Sequence, residues 1–333
     1  MDINNLKDSI DRCLEAKLVP FIQGSPGIGK SAIISEIAQK RNLKLIDVRL
    51  SQYDITDLNG LPKLNGSKAE FLTFDTFPIQ GDELPEGKDG WLLFLDELNS
   101  AIRSVQCASY KLIQDRMVGN HLLHDNVYVV TAGNLITDNA VVIQMPTSLR
   151  SRMVNLTLEV DSDIWIKWAL NNDVDCRIIT FIKFKPDNLF LFNPSKNEKT
   201  YACPRTWVML SKLIKSIKNL DNFYELIEGV VGSISKEFIK FTDLNGTLPT
   251  IEDILNGNAT IPEKVGHKWM VVYHIIQNFK KVSDDDLEKI CAYVNKLDSE
   301  YMVIFIKQIA EDDRKRILSN PKLVKYTYNE LNA

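Results

Sequence analysis

The sequence predicts an α/β protein in which a sheet with buried parallel strands precedes a helical region. An apolar run at 18–22 leads into a glycine-rich turn and then into helical spacing from 32 to 40. A second run, 91–95, is continuously apolar, as a parallel strand buried on both faces requires. From about Asp161 onward the apolar residues follow mainly helical spacing. These patterns favour an α/β domain at the start of the chain, followed by helices.

The elements around the first strand follow from local spacing. Before it, an amphipathic helix over 2–17 is indicated by the apolar residues Ile3, Leu6, Ile10, Cys13 and Leu14. After the helix at 32–40, a second strand is predicted over 43–50. The dipeptide Asn65-Gly66 is a hairpin signal, and the region from about 63 to 90 is predicted to be an inserted hairpin and loop.

The glycine-rich turn has the spacing G-x-x-x-x-G-K-[ST] of a phosphate-binding loop. Its residues are Gly24, Ser25, Pro26, Gly27, Ile28, Gly29, Lys30 and Ser31. The glycines permit a backbone whose N–H groups point at a phosphate. Lys30 supplies a positive charge for the terminal phosphates, and Ser31 supplies a hydroxyl for Mg²⁺. A strand before this turn and a helix after it predict a nucleotide site.

Two acids, Asp96 and Glu97, follow the buried strand at 91–95. Asp96 is expected beside the phosphate loop, where its carboxylate holds a magnesium ion together with Ser31. Glu97 is expected to polarise an attacking water. The alternative is a buried strand that merely ends in two solvated acids, and the matched phosphate loop upstream makes that less favoured.

Polar residues further along complete the set of candidates. A helix over 100–116 and a strand over 127–134 lead to Asn134, which suits the orientation of water or phosphate but also suits a turn. Arg150 and Arg152 precede a strand-like run at 154–158, and at least one is expected to reach a neighbour's nucleotide. Arg205 lies beside Pro204 at the start of a helix predicted to run to residue 217, where a cation calls for a compensating anion.

In order and spacing, these motifs resemble those of the AAA+ ATPases, particularly the MoxR-like, dynein-related group in its phage or bacterial form. The resemblance is carried by 24–31 (Walker A), 91–97 (Walker B), 129–134 (sensor 1), 149–152 (arginine finger) and 204–207 (sensor 2). It implies a five-stranded parallel α/β/α core over 1–158, an all-α lid over 159–265 and a helical C-terminal extension over 266–333.

The resemblance also assigns roles to the candidate residues. It implies ATP and Mg²⁺ as cofactors, with the phosphate loop and Asp96 around them, Glu97 as the water-activating base and Asn134 as sensor 1. Arg205 becomes sensor 2, with the terminal phosphate as its anion. Arg152 aligns best with the arginine of the family's Leu-x-x-Arg-Phe pattern. Because Met153 replaces the aromatic residue, Arg150 stays an alternative finger.

The implied function is that of an ATP-hydrolysing homo-oligomer, expected to be a hexameric ring, that remodels or chaperones a protein such as a von Willebrand-type partner. A nucleic-acid-linked motor or loader subunit and a nucleotide-dependent assembly module stay open as alternatives. Local basicity supports the first alternative, through Lys183, Lys185, Lys196, Lys199, Lys212, Lys215 and Lys218. The net charge of -4 and pI near 5.7 oppose it.

Composition bounds the remaining possibilities. No apolar run approaches the roughly 20 residues that a membrane-spanning helix needs, and the start of the chain is polar, unlike a signal peptide. A cytoplasmic protein is therefore expected, in the host cytoplasm if the chain is phage-encoded. The 5 cysteines are scattered without a C-x-x-C pair, so they are predicted to be reduced and structural.

Overall fold

The computed structural model describes residues 1–138, 143–195, 198–217, 219–242, 248–278, 283–309, 311–324 and 326. Within these residues the chain forms two compact units. The first consists of Met1–Asp161 together with residues 193–195, and the second of the other described residues from Ser162 onward. The first unit combines strands and helices, whereas the second is helical. The domain boundaries at residues 158 and 265 stay predictions.

The strands lie in the first unit. They are β1 (Pro20–Gln23), β2 (Lys44–Arg49), β3 (Leu61–Asn65), β4 (Lys68–Leu72), β5 (Trp91–Asp96), β6 (Met117–Val118), β7 (His121–Leu122), β8 (Val127–Gly133) and β9 (Val154–Thr157). Among the described residues, five of them form one sheet in the order β2-β5-β8-β1-β9. Every pairing in that sheet is parallel. This confirms the predicted fold class, a five-stranded parallel core followed by a helical region.

The central strands of the sheet are buried on both faces, in agreement with the continuous apolar runs in the sequence. Residues 91–95 of β5 are all buried, and β8 is buried at every position except Tyr128. In the register of the sheet, Gln23 pairs with Gly133 and Leu95 pairs with Thr131. Because the strands are parallel, their carboxyl ends share one edge of the sheet. The segments that follow β1, β5 and β8 therefore meet at that edge.

The helices of the first unit are α1 (Ile3–Glu15), α2 (Lys30–Lys40), α3 (Ile55–Asn59), α4 (Arg103–Asp115) and α5 (Thr147–Arg150). Two are shorter than predicted. α1 stops before residue 17 because Lys17 has a positive φ of 56°, which a helix cannot contain. α4 starts at Arg103 because residues 98–100 form a 3₁₀ turn after the left-handed backbone of Glu97.

The predicted hairpin is present as β3 and β4, an antiparallel pair in which Asn65 lies opposite Lys68. Its turn is Gly66-Ser67, and Gly66 has a φ of +61°, a conformation that glycine adopts without steric cost. The base of the hairpin is tightly packed, since a Cβ on Gly60 would lie 2.2 Å from the Leu72 carbonyl oxygen. The hairpin therefore has a fixed base and an exposed tip.

The second unit is built from helices throughout its described part. They are α6 (Ser162–Asn171), α7 (Cys176–Phe184), α8 (Pro204–Ile214), α9 (Tyr224–Val231), α10 (Ser235–Thr242), α11 (Ile251–Leu255), α12 (Val265–Asn278), α13 (Asp284–Asn295), α14 (Ser299–Gln308), α15 (Glu311–Ser319) and α16 (Pro321–Val324). Its core includes Phe181, whose ring centroid lies 5.7 Å from that of Trp207 and 5.4 Å from that of Phe238.

Arg177, which forms a buried ion pair at the start of α7, joins this helix to the end of α8. Arg177 binds Asp175 at 2.7 Å and also donates hydrogen bonds to the carbonyl oxygens of Ile214 and Ile217, both at 2.7 Å. The last carbonyls of a helix lack partners within it. Because Arg177 supplies these partners, α8 ends at Ile214, before the predicted end at residue 217.

The lysines that gave the middle of the chain its basicity are partly neutralised. Several form ion pairs with acids, namely Lys183 with Asp163, Lys185 with Glu237 and Lys215 with Asp173. Lys196 and Lys218 lie outside the described residues. A paired lysine offers little net charge to a phosphate backbone. Among the described helices, none is both long and apolar enough to cross a bilayer.

Candidate nucleotide-binding site

The phosphate loop follows β1 and ends where α2 begins. Gly27 (φ +80°) and Gly29 (φ +101°) adopt backbone conformations that side chains other than glycine rarely allow. Gly24 is required for a different reason, because a Cβ there would lie 2.6 Å from Ile28 Cδ1 and 3.2 Å from the Leu158 carbonyl oxygen. The first N–H groups of α2 have no acceptor within the helix, so this end of the helix favours an anion.

Lys30 brings a positive charge into the curve of this loop. Although Lys30 is only 8% exposed, its Nζ donates hydrogen bonds to the carbonyl oxygens of Gly24 at 2.5 Å and Ser25 at 3.1 Å. A third hydrogen bond, of 3.1 Å, reaches Oδ1 of Asn134 at the end of β8. A buried ammonium requires such acceptors, and they hold it between the loop and Asn134.

Ser31 and Asp96 form the second contact between the loop and the sheet. Ser31 Oγ donates to Asp96 Oδ2 at 3.1 Å, and Asp96 Oδ1 accepts from the Glu97 N–H at 2.8 Å. Hydroxyl and carboxylate oxygens are the hard ligands that Mg²⁺ prefers. Among the described residues, no group of three or more His, Cys, Asp or Glu side chains is arranged for a metal ion. The Ser31 hydroxyl and the Asp96 carboxylate are oxygen donors of the kind that Mg²⁺ takes together with phosphate and water oxygens.

Glu97 is held at a sharp turn after β5. Its backbone is left-handed, with a φ of 57°, and its Oε2 accepts a hydrogen bond from Ser51 Oγ. Ser51 lies in the 3₁₀ turn Leu50–Gln52 that follows β2, the neighbour of β5 in the sheet. The carboxylate is thus fixed by the end of an adjacent strand.

Negative charge accumulates at this edge of the sheet. Loss of solvent raises the pKa of the Asp47 carboxyl, and the charges of Asp96 and Glu97 raise it further, while Arg49 lowers it. Arg49 pairs in register with Asp96. Like charges repel one another, and a cation bound at this edge offsets that repulsion.

Asn134 is fixed through its backbone by Asn99. The Asn134 N–H donates to Asn99 Oδ1 at 3.1 Å, and Asn99 Nδ2 donates to the Asn134 carbonyl oxygen at 2.7 Å. The side chain of Asn134 is consequently directed to Lys30, which donates to its Oδ1. Lys30, Ser31, Asp96 and Asn134 thus lie within one connected region, as expected for residues at the carboxyl edge of a parallel sheet.

Asp138 places a further carboxylate against the phosphate loop. It is 8% exposed, and its Oδ1 accepts a 3.3 Å hydrogen bond from Ser25 Oγ. Within the described residues its buried Oδ2 has no hydrogen-bond partner. Burying a charged oxygen without a partner costs free energy. Asp138 therefore weakens the local structure and adds negative charge beside a loop built for an anion.

Substituting Asn for Asp138 is expected to stabilise the protein and to tighten nucleotide binding. The substitution preserves the shape of the side chain and removes the buried charge, which corresponds to about 1–3 kcal/mol in the free energy of unfolding. Urea denaturation and titration with ATP measure the two effects. Asp115→Asn, at an exposed position of α4, is the matched control for the change in net charge. A less stable Asp138→Asn protein with unchanged affinity contradicts this prediction.

The two candidate finger arginines are exposed on the chain just before β9. Arg152 is held in place, since its guanidinium lies 4.3 Å from the centre of the Tyr110 ring and donates to the Ser148 carbonyl oxygen at 2.7 Å. Val154 at the start of β9 pairs with Pro20 at the start of β1. The arginines therefore lie at the amino edge of the sheet.

This position separates both arginines from the phosphate loop of their own chain. The loop follows the other end of β1, and four residues of strand at about 3.3 Å each span roughly 13 Å. An arginine at the amino edge faces away from the carboxyl edge where Lys30 and Asp96 lie. The assignment of the arginine finger to Arg152 or Arg150 stays a prediction. Either arginine would act on the nucleotide of a second subunit.

Arg205 lies in the second unit, where it is the second residue of α8 and is exposed. Pro204 occupies the first position of this helix as predicted, and the Cys203 N–H donates to Thr206 Oγ1 at 2.8 Å. The helix start is thus well capped. The role of Arg205 as sensor 2 stays a prediction.

The sequence analysis assigned no role in the site to Ser51, Asn99 or Asp138. Ser51 and Asn99 come shortly after the ends of β2 and β5, so the reasoning that selected Asn134 applies to them as well: a polar residue after a parallel strand lies at the shared carboxyl edge. Asp138 carries no comparable signal, because it lies in the 3₁₀ turn Ile136–Asp138 rather than at a strand end.

Comparison with known proteins gives matches that cover part of this chain. No protein-family model matches the chain. Among curated proteins, 188 residues are 28% identical to midasin from Giardia intestinalis, a match that covers 51% of this chain and 4% of that protein. A stretch of 88 residues is 36% identical to midasin from Dictyostelium discoideum, covering 26% of this chain and 1% of that protein. These matches agree with the predicted resemblance to the AAA+ ATPases, of the midasin-like, dynein-related kind.

The midasin matches occupy only a small share of those proteins' length. Among solved structures, the Holliday junction branch migration motor RuvB of Thermotoga maritima is similar at 15% identity, with a TM-score of 0.37 over 76% of this chain and 74% of that one. A function for this chain is therefore argued from the order of its sheet and from the residues gathered at the carboxyl edge.

Proposed function

We propose that this AAA+ protein binds and hydrolyses ATP with Mg²⁺, as a ring of identical subunits, expected to be six, that remodels a protein partner. The hydrogen-bonded set of Lys30, Ser31, Asp96 and Asn134, with Glu97 beside it, carries the proposal. It combines a positive charge for phosphates, oxygen ligands for a cation and a carboxylate for a water molecule at one edge of the sheet.

In this proposal the chemistry is divided among these side chains. Lys30 exchanges its carbonyl partners in the loop for terminal phosphate oxygens, which are stronger acceptors because they are charged. Glu97, held by Ser51, takes a proton from the water that attacks the terminal phosphorus, and Asn134 orients that water. Mg²⁺ bound by Ser31 and Asp96 supplies charge neutralisation for the phosphates.

A second subunit completes the site in this proposal. Phosphoryl transfer spreads negative charge over the terminal phosphate oxygens, and an arginine delivered from a neighbour stabilises that charge. Arg152 or Arg150 lies at the amino edge of the sheet, so a ring in which each subunit presents this edge to the next subunit's phosphate loop satisfies the requirement. A protein client, with a von Willebrand-type partner as the expected kind, follows from the resemblance to the MoxR-like group.

Mass measurement with and without a slowly hydrolysed ATP analogue tests assembly, and phosphate release tests turnover. We expect the analogue to convert the protein to a defined multiple of its subunit mass, and ATP to be hydrolysed with Mg²⁺. Lys30→Ala is the control and is expected to abolish both effects. Unchanged mass together with no phosphate release contradicts the proposal. Strong, salt-sensitive stimulation by DNA or RNA instead favours the nucleic-acid alternative.

A further inference from the structure

Asn99 lies in the 3₁₀ turn Leu98–Ser100, between the strand that ends in Asp96 and the helix α4. It is 2% exposed. Its side chain both accepts from the Asn134 N–H at 3.1 Å and donates to the Asn134 carbonyl oxygen at 2.7 Å. The ladder between β5 and β8 ends at Leu95 and Thr131. The amide of Asn99 therefore continues the pairing beyond the sheet, up to the residue that faces Lys30.

Gly133 shows how close this approach is. A Cβ at this position would lie 2.2 Å from Asn99 Oδ1 and 2.7 Å from Asn99 Cγ. Gly133 is not among the glycines with positive φ, so its backbone conformation is open to other residues. The absence of a side chain here is explained by Asn99 and not by the backbone. The residue before Asn134 is thus shaped to admit this one amide.

Asn99 also connects to the chain further on. Its carbonyl oxygen accepts from the Ile143 N–H at 2.7 Å, and the Ile143 carbonyl oxygen accepts from Gln106 Nε2 at 3.3 Å. On the other side, Asn134 Oδ1 accepts from Lys30 Nζ. Asn99 thus links the turn after β5 to the end of β8 by hydrogen bonds.

We propose that Asn99 is a positioning residue for ATP hydrolysis. Asn99 acts through Asn134 and sets the distance between the Asn134 side chain and the carboxylate of Glu97. Glu97 lies two residues before Asn99 in the sequence. The inference rests on the proposed function, because it assigns the geometry of the same site. Since a misplacement of about 1 Å in such a site costs on the order of 100-fold in rate, the effect is expected in kcat and not in nucleotide affinity.

A double-mutant cycle tests the proposal. Asn99→Ala is expected to lower kcat on the order of 100-fold with little change in the dissociation constant for ATP. Asn134→Ala is expected to lower kcat comparably, and the double variant to be no slower than Asn134→Ala, because Asn99 has no second route to the reaction. Gln106→Ala is the matched control, since it removes a contact to Ile143 without touching Asn134, and it is expected to leave kcat within a few-fold of the wild type.

Hydrogen exchange supplies a readout independent of turnover. The Asn134 amide is expected to exchange faster in Asn99→Ala than in the wild type, because its acceptor, Asn99 Oδ1, is removed. If Asn99→Ala does not fold, Asn99→Ser, which is small and adds no buried charge, takes its place in the cycle. Equal protection of the Asn134 amide in Asn99→Ala, or additive losses in the double variant, overturns the inference. If the wild type hydrolyses no ATP, the proposed function fails while exchange still tests Asn99.

Discussion

Replacing Glu97 by glutamine is expected to lower ATP turnover by about 10²–10⁴-fold, the usual contribution of a general base, while nucleotide affinity stays the same. Glutamine keeps the side-chain length and an oxygen that accepts from Ser51, so the turn after β5 is preserved. It cannot accept a proton from water. Asp96 and Ser31, which hold the cation in the proposed mechanism, are unchanged.

Steady-state phosphate release and equilibrium binding of a fluorescent ATP analogue separate the two quantities. The matched control is Glu83→Gln, which makes the same charge change at an exposed position between β4 and β5 and is expected to behave as the wild type. Wild-type turnover in Glu97→Gln means that another group activates the water. Loss of nucleotide binding in Glu97→Gln means that Glu97 stabilises the bound nucleotide before the reaction starts.

Mixing two inactive variants is expected to restore hydrolysis if Arg152 acts between subunits. Arg152→Ala is expected to lose about 10³-fold or more in kcat, and Glu97→Gln is inactive for a separate reason. In a randomly mixed ring, about a quarter of the interfaces join an intact Glu97 to an intact Arg152 of the neighbour. The mixture therefore recovers turnover that neither variant has by itself.

The same experiment with Arg150→Ala decides between the two arginines. Arg152 stacks on Tyr110 and binds the Ser148 carbonyl oxygen, so its direction is fixed, whereas Arg150 ends the short helix α5. Restoration with Arg150→Ala and none with Arg152→Ala assigns the finger to Arg150. Absence of restoration with either variant, while both are inactive, contradicts an arginine supplied by a second subunit.

The sheet was predictable because its strands are buried on both faces and leave a continuous apolar signature. The phosphate loop and Asp96–Glu97 were predictable because residue type and position are dictated by phosphate and cation chemistry. The ends of helices were harder to predict, since they depend on tertiary contacts such as that of Arg177 with the carbonyl oxygen of Ile214, the last residue of α8.

Side-chain contacts across the chain were the part that local patterns did not reveal. Nothing in the sequence near Asn99 indicates that residue 134 lies within hydrogen-bond distance, because the two meet only when β5 and β8 pair. Gly133 looks like an ordinary turn glycine until the Asn99 amide is placed against it. Asp138 looks like a surface acid until its burial is known.

The β3–β4 hairpin gives the protein an attachment point for a spectroscopic label. Its tip tolerates added atoms, because a Cβ on Gly66 would meet nothing within 4 Å and Leu64 is 81% exposed. The hairpin is joined to the rest of the α/β domain by a 2.8 Å contact between His121 Nε2 and the Phe71 carbonyl oxygen, so a dye on the tip reports on the position of this domain. With the exposed Cys107 replaced, a cysteine at Ser67 allows subunit motion during turnover to be recorded by energy transfer.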